Sequence, residues 1–425
     1  MRVTILTQYY PPEIGAPQAR LSELASALVR RGHEVTVLTA MPSYPVGKIY
    51  PGYGGLLQRE RRDGVQIIRT TVFPTQRADF LGRLANYFSF ACSAGIMGTF
   101  LLRRCDYLIV ESPPLFLGFT GLWLSWRTRA AMVFNVSDLW PETAVRLGVV
   151  RAGSIAHRVA AWLEGLCYRR AAVVSGQTKA IVDSIAERFP RCRTYHFSNG
   201  VNTRAFHPAR RTAAARATLA AGEADGCIAL YAGLHGLAQG LDQVLEAAET
   251  LGADTNLRMV LVGDGPAKEK LTQRAQARDL RNVRFLPPLP SDQIPPLVAA
   301  ADILLVPLAT HIPGATPSKL YEAMASGRPV ILVAAGEPAA FVRDNRAGIV
   351  VAPGDGPGLV NALRTLSADP ALRQELGANG RRTVERLFDK GDIDNAFIAY
   401  LEDHQRTALA PPPGRVPRPA PSRPS

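Results

Sequence analysis

At 425 residues the chain is long enough for two or three domains with full cores, and its 47% hydrophobic and 20% charged residues are the balance of a globular protein, not a disordered one. Its net charge of +13 is uneven: residues 1–200 hold 24 Lys/Arg against 13 Asp/Glu, and the remainder 25 against 23. A basic first half calls for an anionic partner. No helix-turn-helix, zinc-finger or RNP pattern accompanies it, so an anionic membrane surface or phosphorylated lipid suits it better than nucleic acid, with a merely solvated arginine surface as the plain alternative.

Met1 leads at once into an apolar strand, Val3–Thr7, so no signal peptide is expected. Gln18–Arg31 has helical periodicity and stops at Gly32, and residues 33–39 read as the next strand. Residues 41–55 form a loop rich in Pro, Gly and Tyr, with Tyr44, Tyr50 and Tyr53 facing either an acceptor or solvent. After a strand at Val65–Arg69, Phe80–Leu102 is long and apolar enough to cross a membrane. Arg83, Asn86 and frequent Gly and Ser weigh against a span; a helix partly in the core and partly pressed to a membrane surface is expected. Strands at Tyr107–Glu111, Met132–Val136 and Val173–Ser175 follow, with helices between. Continuous apolar strands alternating with helices predict a parallel sheet covered on both faces.

A polar, Ala/Arg-rich stretch follows Asn199-Gly200-Val201, and a second series starts near residue 226. Its strands are expected at Ile228–Ala232, Arg258–Val262, Val283–Leu286, Ile303–Val306, Val330–Val333 and Gly348–Val351. Final helices run from about Gly358 to Asp403, and the Pro/Arg/Ala/Ser tail from Ala408 reads as disordered. The fold class is α/β, with two doubly wound Rossmann-like domains. The expected division is 1–200, a linker 201–225, 226–380, a helix at 381–407 and the tail 408–425. In such sheets ligands sit at the carboxyl ends of the strands.

Four loops fall at such ends. Gly15 follows the first strand, where it allows close approach of a ligand or simply makes a turn. Gly233, Gly236 and Gln239 lie in the loop after Ile228–Ala232, whose glycines do not spell the G-x-G-x-x-G of a dinucleotide site. Gly263 opens Gly263-Asp264-Gly265-Pro266. The fourth loop enters a helix with Thr316 placed as N-cap, Pro317 at the first helical position and Gly327 at the end. That register puts Ser318 and Lys319 in the first turn, where free N–H groups and the helix dipole attract phosphate, with Leu320 following and Glu322 one turn on. Lysine, helix start and carboxylate together suit a nucleotide diphosphate; an ordinary capped helix is the plain alternative. The five cysteines show no metal spacing and read as reduced thiols in the cytoplasm. Asp392-Ile393-Asp394 opens the last helix and reads as capping, so no metal and no cofactor are expected.

Tyr9-Tyr10-Pro11-Pro12-Glu13, Arg31-Gly32-His33-Glu34-Val35, Asn86-Tyr87-Phe88-Ser89-Phe90, Glu111-Ser112-Pro113-Pro114, Asp138-Leu139-Trp140-Pro141-Glu142, Ser198-Asn199-Gly200-Val201, Gly236-Leu237-Ala238-Gln239-Gly240 and Pro317-Ser318-Lys319-Leu320 carry a resemblance. The chain resembles the GT-B glycosyltransferases of family 4, within them the WbuB/WcaI-like group of bacterial surface-polysaccharide enzymes, up to about residue 405. The resemblance implies sugar transfer from a nucleotide diphosphate sugar with retention at the anomeric carbon, and a last helix that crosses back to the first domain. It also implies a uridine base, its edge meeting backbone near Leu286. Three positions depart from the family pattern. Gly314 stands where many members have a glutamate eight residues before Glu322, and Leu234 and Gln239 stand where many have basic residues against the diphosphate. Lys319 then carries more of the phosphate charge. Asp138 is the closest match to a family histidine near the reacting carbon; Asp138 or Glu142 assists the acceptor hydroxyl or caps a helix.

The expected activity moves a sugar, UDP-linked and an N-acetyl sugar among the candidates, to a lipid-linked saccharide at the inner face of the cytoplasmic membrane. A non-hydrolysing nucleotide-sugar 2-epimerase on the same fold, or a non-catalytic nucleotide-binding protein of the same pathway, are the alternatives.

Overall fold

The structure, a computed structural model, describes residues 1–13, 15–44, 47–75, 80–146, 148, 150–220, 226–252, 256–310 and 316–409. The first half runs β1 (Arg2–Leu6), α1 (Ala16–Arg30), β2 (Glu34–Ala40), β3 (Leu57–Arg62), β4 (Val65–Thr70), α2 (Phe80–Leu101), β5 (Tyr107–Ser112), α3 (Leu117–Thr128), β6 (Ala131–Val136), α4 (Glu142–Arg146), α5 (Ile155–Arg170), β7 (Val173–Gly176), α6 (Lys179–Arg188) and β8 (Thr194–His196). These strands form one sheet in the order β3-β4-β2-β1-β5-β6-β7-β8, parallel except for β3.

The second half runs α7 (Ala213–Ala220), β9 (Cys227–Ala232), α8 (Leu241–Leu251), β10 (Leu257–Val262), α9 (Lys268–Ala277), β11 (Val283–Leu286), α10 (Ile294–Ala300), β12 (Ile303–Pro307), α11 (Ser318–Ala325), β13 (Val330–Val333), α12 (Glu337–Asp344), β14 (Gly348–Val351), α13 (Gly356–Ala368), α14 (Pro370–Leu387) and α15 (Lys390–Leu409). Its six strands lie parallel in the order β11-β10-β9-β12-β13-β14.

Period-two alternation sends successive strand residues to opposite faces, and each sheet carries an apolar cluster on both. In the first sheet Ile5, Val37 and Ile109 pack with Leu24 of α1 and Phe397 of α15. Their neighbours Leu6, Leu38 and Val110 face Phe90 of α2, Leu124 of α3 and Leu163 of α5. Truncating one such fully buried leucine, Leu124→Ala for instance, costs about 2–5 kcal/mol.

Two strands escaped the sequence pattern. β3, Leu57-Gln58-Arg59-Glu60-Arg61-Arg62, is exposed or half-exposed throughout and has no apolar alternation; it is a charged antiparallel edge. β8 has three residues, too few for periodicity. Asn86 does not interrupt α2 as a polar break. It is buried, accepts from Gln8 Nε2 at 2.6 Å and donates to the Phe73 carbonyl at 2.7 Å, tying the inner face of α2 to the loop after β1.

The stretch expected as a linker belongs to the second domain. α7 buries Ala215 and Leu219 in its core, and Arg216 reaches Asp302 at 2.7 Å. Residues 221–225 lie outside those described. The boundary expected at 380/381 falls inside α14, which continues to Leu387. The return to the first domain begins at α15, where Tyr107 Oη donates to the Leu401 carbonyl at 2.9 Å and Glu402 binds Arg31 at 2.8 Å and His33 at 2.9 Å. α15 extends to Leu409, beyond the expected start of the tail at Ala408; residues 410–425 lie outside those described. The two chain crossings are hydrogen-bonded to each other, Val201 N to Phe388 O at 2.8 Å and Lys390 N to Val201 O at 2.9 Å. Asp392-Ile393-Asp394 is not simply a cap. Asp389 caps, accepting from Asp392 N at 3.2 Å, whereas Asp394 forms a buried ion pair with Lys390.

Candidate active site

The site on the second domain is built where β9, β10 and β12 end. Gly233 N donates to Val262 O at 2.8 Å, so the loops after β9 and β10 leave the sheet side by side. They touch backbone to backbone: a Cβ on Gly263 would stand 1.9 Å from the Gly233 carbonyl oxygen, leaving room for glycine alone. His235 N donates to Asp264 O at 2.8 Å, and Lys268 Nζ donates to the carbonyls of Gly263 at 2.6 Å and Leu286 at 3.2 Å, joining the end of β11 to the same cluster. The Leu286 carbonyl is therefore taken twice, since Gly263 N also donates to it at 3.3 Å.

α11 then lays Lys319 across this platform. A Cβ on Gly233 would lie 2.0 Å from Lys319 Cε, and the ammonium stands 5.6 Å from the centre of the Tyr231 ring. Among the described residues it has no hydrogen-bonded partner. Burial pushes its pKa down and the Glu322 carboxylate opposes the shift; burial likewise pushes Glu322 up, with Lys319 opposing. Both side chains are half-buried, and among the described residues no hydrogen bond or ion pair joins them.

The helix start differs from the expected register. α11 begins at Ser318 with Pro317 as N-cap, one residue later than Thr316 would place it, and no side chain caps it. Proline fixes the entering dihedral but offers no side-chain oxygen, so the first-turn N–H groups of Ser318 and Lys319 have no acceptor among the described residues. Leu320 is buried in the core and anchors the turn, and Gly327 ends the helix in the left-handed region at φ 66°. Residues 311–315, including Gly314, lie outside those described. Leu234 is exposed, and Gln239, in a short 3-10 turn after Gly236, has a buried Oε1 with no partner.

Sequence reasoning passed over His235. It is fully buried beside Tyr231 and Phe285, neither ring nitrogen makes a hydrogen bond, and burial, then Lys268, holds its pKa below the usual value. A histidine inside a glycine loop at a strand end was the available signal.

The first domain places Gly15 at the N-cap of α1, again without a side-chain cap, against Gln18, whose Oε1 is buried and unpartnered. Glu13 organises the neighbouring loop, accepting from the backbone of Ser43 and Tyr44 at 2.8 Å each and of Tyr10 at 3.2 Å. Tyr44 is exposed, Tyr50 donates to the Tyr44 carbonyl at 2.6 Å, and Tyr53 packs under the Arg69 guanidinium.

Asp138 and Glu142 meet different fates. Asp138 is half-buried, accepts from Thr143 Oγ1 at 2.7 Å, and has its pKa raised by burial against that hydrogen bond. Glu142 binds Arg188 through one carboxylate oxygen at 2.6 Å while its other oxygen is buried with no partner among the described residues, and Arg188 also binds the buried Glu164 at 2.7 Å. Beside Asp138 lies a network that sequence reasoning did not single out. Arg20 donates to Glu111 at 2.6 Å, Ser137 at 2.7 Å and Asn199 at 2.6 Å, Asn135 donates to Glu111 at 2.6 Å, and Ser137 also donates to Glu111. It joins the ends of β5 and β6 to the domain crossing at Asn199. Polar residues inside otherwise apolar strands, Glu111 and Asn135, were the trace it left. Among the described residues no three His, Cys, Asp or Glu side chains are grouped to hold a metal ion.

Two parallel-sheet domains joined by a returning helix are the GT-B architecture. A family model described as "Glycosyl transferase 4-like domain" matches residues 15–200, and one described as "Glycosyl transferases group 1" matches residues 222–383. The chain belongs to family 4 of the GT-B glycosyltransferases and is a glycosyltransferase. It is similar to WcaI of Escherichia coli (strain K12), which bears the name colanic acid biosynthesis glycosyl transferase, with 27% identity over 94% of this chain and 99% of that one. Among solved structures it aligns with sucrose-phosphate synthase from Thermosynechococcus elongatus at TM-score 0.75, with 20% identity over 96% of this chain and 99% of that one. HepE of Anabaena, in complex with UDP-glucose, aligns at TM-score 0.70 and 18% identity over 95% of this chain and 100% of its own. These two likenesses speak to the fold.

Proposed function

We propose that the enzyme transfers a sugar from a UDP-sugar, with retention at the anomeric carbon, to a lipid-linked saccharide at the inner face of the cytoplasmic membrane during cell-surface polysaccharide synthesis. The observation that carries the donor half is Lys319: a half-buried ammonium with no hydrogen-bonded partner among the described residues, laid over Gly233 beside an uncapped helix start. An unpaired buried charge is costly, and a diphosphate satisfies it. As the glycosidic bond breaks, negative charge grows on the β-phosphate; Lys319 and the N–H groups of Ser318, Lys319 and Gly236 stabilise it. Glu322 accepts from ribose hydroxyls. The leaving phosphate takes the acceptor proton, with Asp138 as the assisting carboxylate; its pKa is raised by burial, as suits a proton acceptor, whereas one oxygen of Glu142 is bound by Arg188. The uridine assignment leans on HepE, whose complex holds UDP-glucose, and the polysaccharide setting on the name of WcaI. Neither donor nor acceptor role needs a metal or cofactor in this reading.

Incubation with a panel of UDP-, GDP- and dTDP-sugars and a polyprenyl-diphosphate-linked saccharide in detergent tests it. Acceptor-dependent product from a UDP-sugar, with the anomeric configuration kept, is expected. Isomerised donor without acceptor, or a donor carrying another nucleotide, would refute it.

A further inference from the structure

Three helices on one side of the first sheet leave apolar stripes facing outward. On α2 the exposed residues Phe88, Cys92, Ile96 and Phe100 recur at a spacing of four, one line along a helix. Phe119, Trp123 and Trp126 line up on α3 at spacings of four and three, as do Ile155, Val159 and Trp162 on α5. The exposure is large where it matters: 80% for Phe100, 70% for Trp126 and 81% for Ile155. The stripes are contiguous. Trp123 Nε1 donates to Thr99 Oγ1 of α2 at 2.8 Å, the Phe119 and Trp162 rings stand 6.0 Å apart across α3 and α5, and Trp123 and Trp126 stand 5.1 Å apart. The Leu84–Leu101 window of α2 has a mean hydropathy of 1.2, yet only 22% of it is buried inside the protein.

Charge selects the occupant. The ends of the three helices carry exposed arginines, Arg103 and Arg104 after α2, Arg127 and Arg129 at the end of α3, and Arg169 and Arg170 at the end of α5. None of the six forms an ion pair with a carboxylate among the described residues. The only acidic residue in the three helices is Glu164, which is buried and bound by Arg188. A second copy of this chain would bring the same cationic face against itself, unfavourable for a symmetric pair. A surface of lipid phosphates over acyl chains matches both features: tryptophan and phenylalanine at the interfacial depth, arginine at the headgroups.

We infer that the outer face of α2, α3 and α5 is a monotopic docking surface for an anionic phospholipid bilayer. It inserts Phe100, Trp126 and Ile155 among the headgroups while the flanking arginines bind lipid phosphate. It rests on the proposal of a lipid-linked acceptor and deepens it, because docking through this face would hold the first domain at the surface where such an acceptor is presented.

Co-sedimentation of the full chain with vesicles of phosphatidylglycerol and phosphatidylcholine, against phosphatidylcholine alone, tests it, together with the blue shift of tryptophan emission. Binding to the anionic vesicles is expected, falling as salt is raised from 0.1 M to 1 M and the screening length drops from about 10 Å to about 3 Å. Phe100→Ser and Trp126→Ser should each weaken it about tenfold, equivalent to about 1.4 kcal/mol, and Arg103→Gln with Arg104→Gln should remove much of its salt dependence. These exposed variants should keep wild-type turnover on a detergent-dispersed acceptor. No vesicle binding, equal binding to both vesicles, binding unchanged in the variants, or a lipid-free dimer that Trp126→Ser dissociates would each overturn the inference. Vesicle binding by a protein that shows no transfer in detergent would instead leave the docking face standing and remove the proposed acceptor reaction.

Discussion

Replacing Lys319 by alanine separates its cost in the free protein from its value in the complex. Without donor, the wild-type ammonium is buried and its pKa is held down, so it opposes folding. The sign follows from proton linkage. A lysine with a lowered folded pKa binds fewer protons than the unfolded chain above that pKa, so wild-type stability rises with pH from the lowered value towards 10.5. Below that window the penalty is fully present, and Lys319→Ala should therefore lose less stability at pH 7 than its missing packing alone implies, and lose the alkaline rise. With donor, the balance inverts. Removing a charged hydrogen-bond partner of phosphate costs about 1.5–3 kcal/mol, near 100-fold in affinity at the upper end. At a UDP concentration 100 times the wild-type Kd, ligand stabilises the protein by about 2.7 kcal/mol; a 100-fold weaker variant retains about 0.4 kcal/mol. At roughly 2–4 °C per kcal/mol for a domain of this size, a thermal shift of about 5–11 °C should shrink to about 1–2 °C. Turnover should fall about 10²–10³-fold, the 2.7–4 kcal/mol typical of one lost oxyanion donor. Melting curves with and without UDP, read beside initial rates, check both. An unchanged UDP shift and unchanged turnover in a folded variant would refute the assignment of Lys319 to the diphosphate.

Gly233→Ala should approach the same loss of turnover with Lys319 still present, because its Cβ would occupy the space of Lys319 Cε at 2.0 Å and its φ of 150° disfavours a side chain; steady-state kinetics at saturating acceptor reads it. Arg20→Ala strands the Glu111 carboxylate, with side-chain exposures of 1% and 3%, and should cost about 3–5 kcal/mol in urea unfolding. Arg20→Met with Glu111→Gln, which leaves no unpaired charge, should cost less. Glu23 sits between α1 and α15, where burial pushes it up to about 7 from 4.5. Its folded state holds the proton more tightly, so stability should be lost as pH rises from about 4.5 to about 7 and level off above. Glu23→Gln should flatten that slope in melting curves taken across the range.

Most strands and the three glycine-bearing loops at Gly15, Gly233 and Gly263 were legible in the sequence. A strand buried on both faces must be apolar without interruption, as Ile303–Val306 and Val330–Val333 are, and a chain leaving such a sheet turns at residues that tolerate close backbone approach. β3 was illegible for the opposite reason: a solvated edge strand needs no apolar side, and its four charged residues look like a loop. The start of α11 was misplaced by one residue because Thr316 offers a capping hydroxyl that the fold does not use for capping.

The sequence alone determines that there are two parallel sheets, where their ligand-facing ends lie, and that Lys319 and Glu322 stand together on one helix, since one-turn spacing is a property of the helix itself. Only the tertiary structure decides which polar groups are spent. It sets Lys319 over Gly233, 86 residues away in the chain, ties one oxygen of Glu142 to Arg188, and joins Arg20 to Glu111 and Asn199. It also turns the apolar stripes of α2, α3 and α5 outward side by side. Such outcomes depend on distances near 3 Å between residues remote in sequence, which no local period encodes.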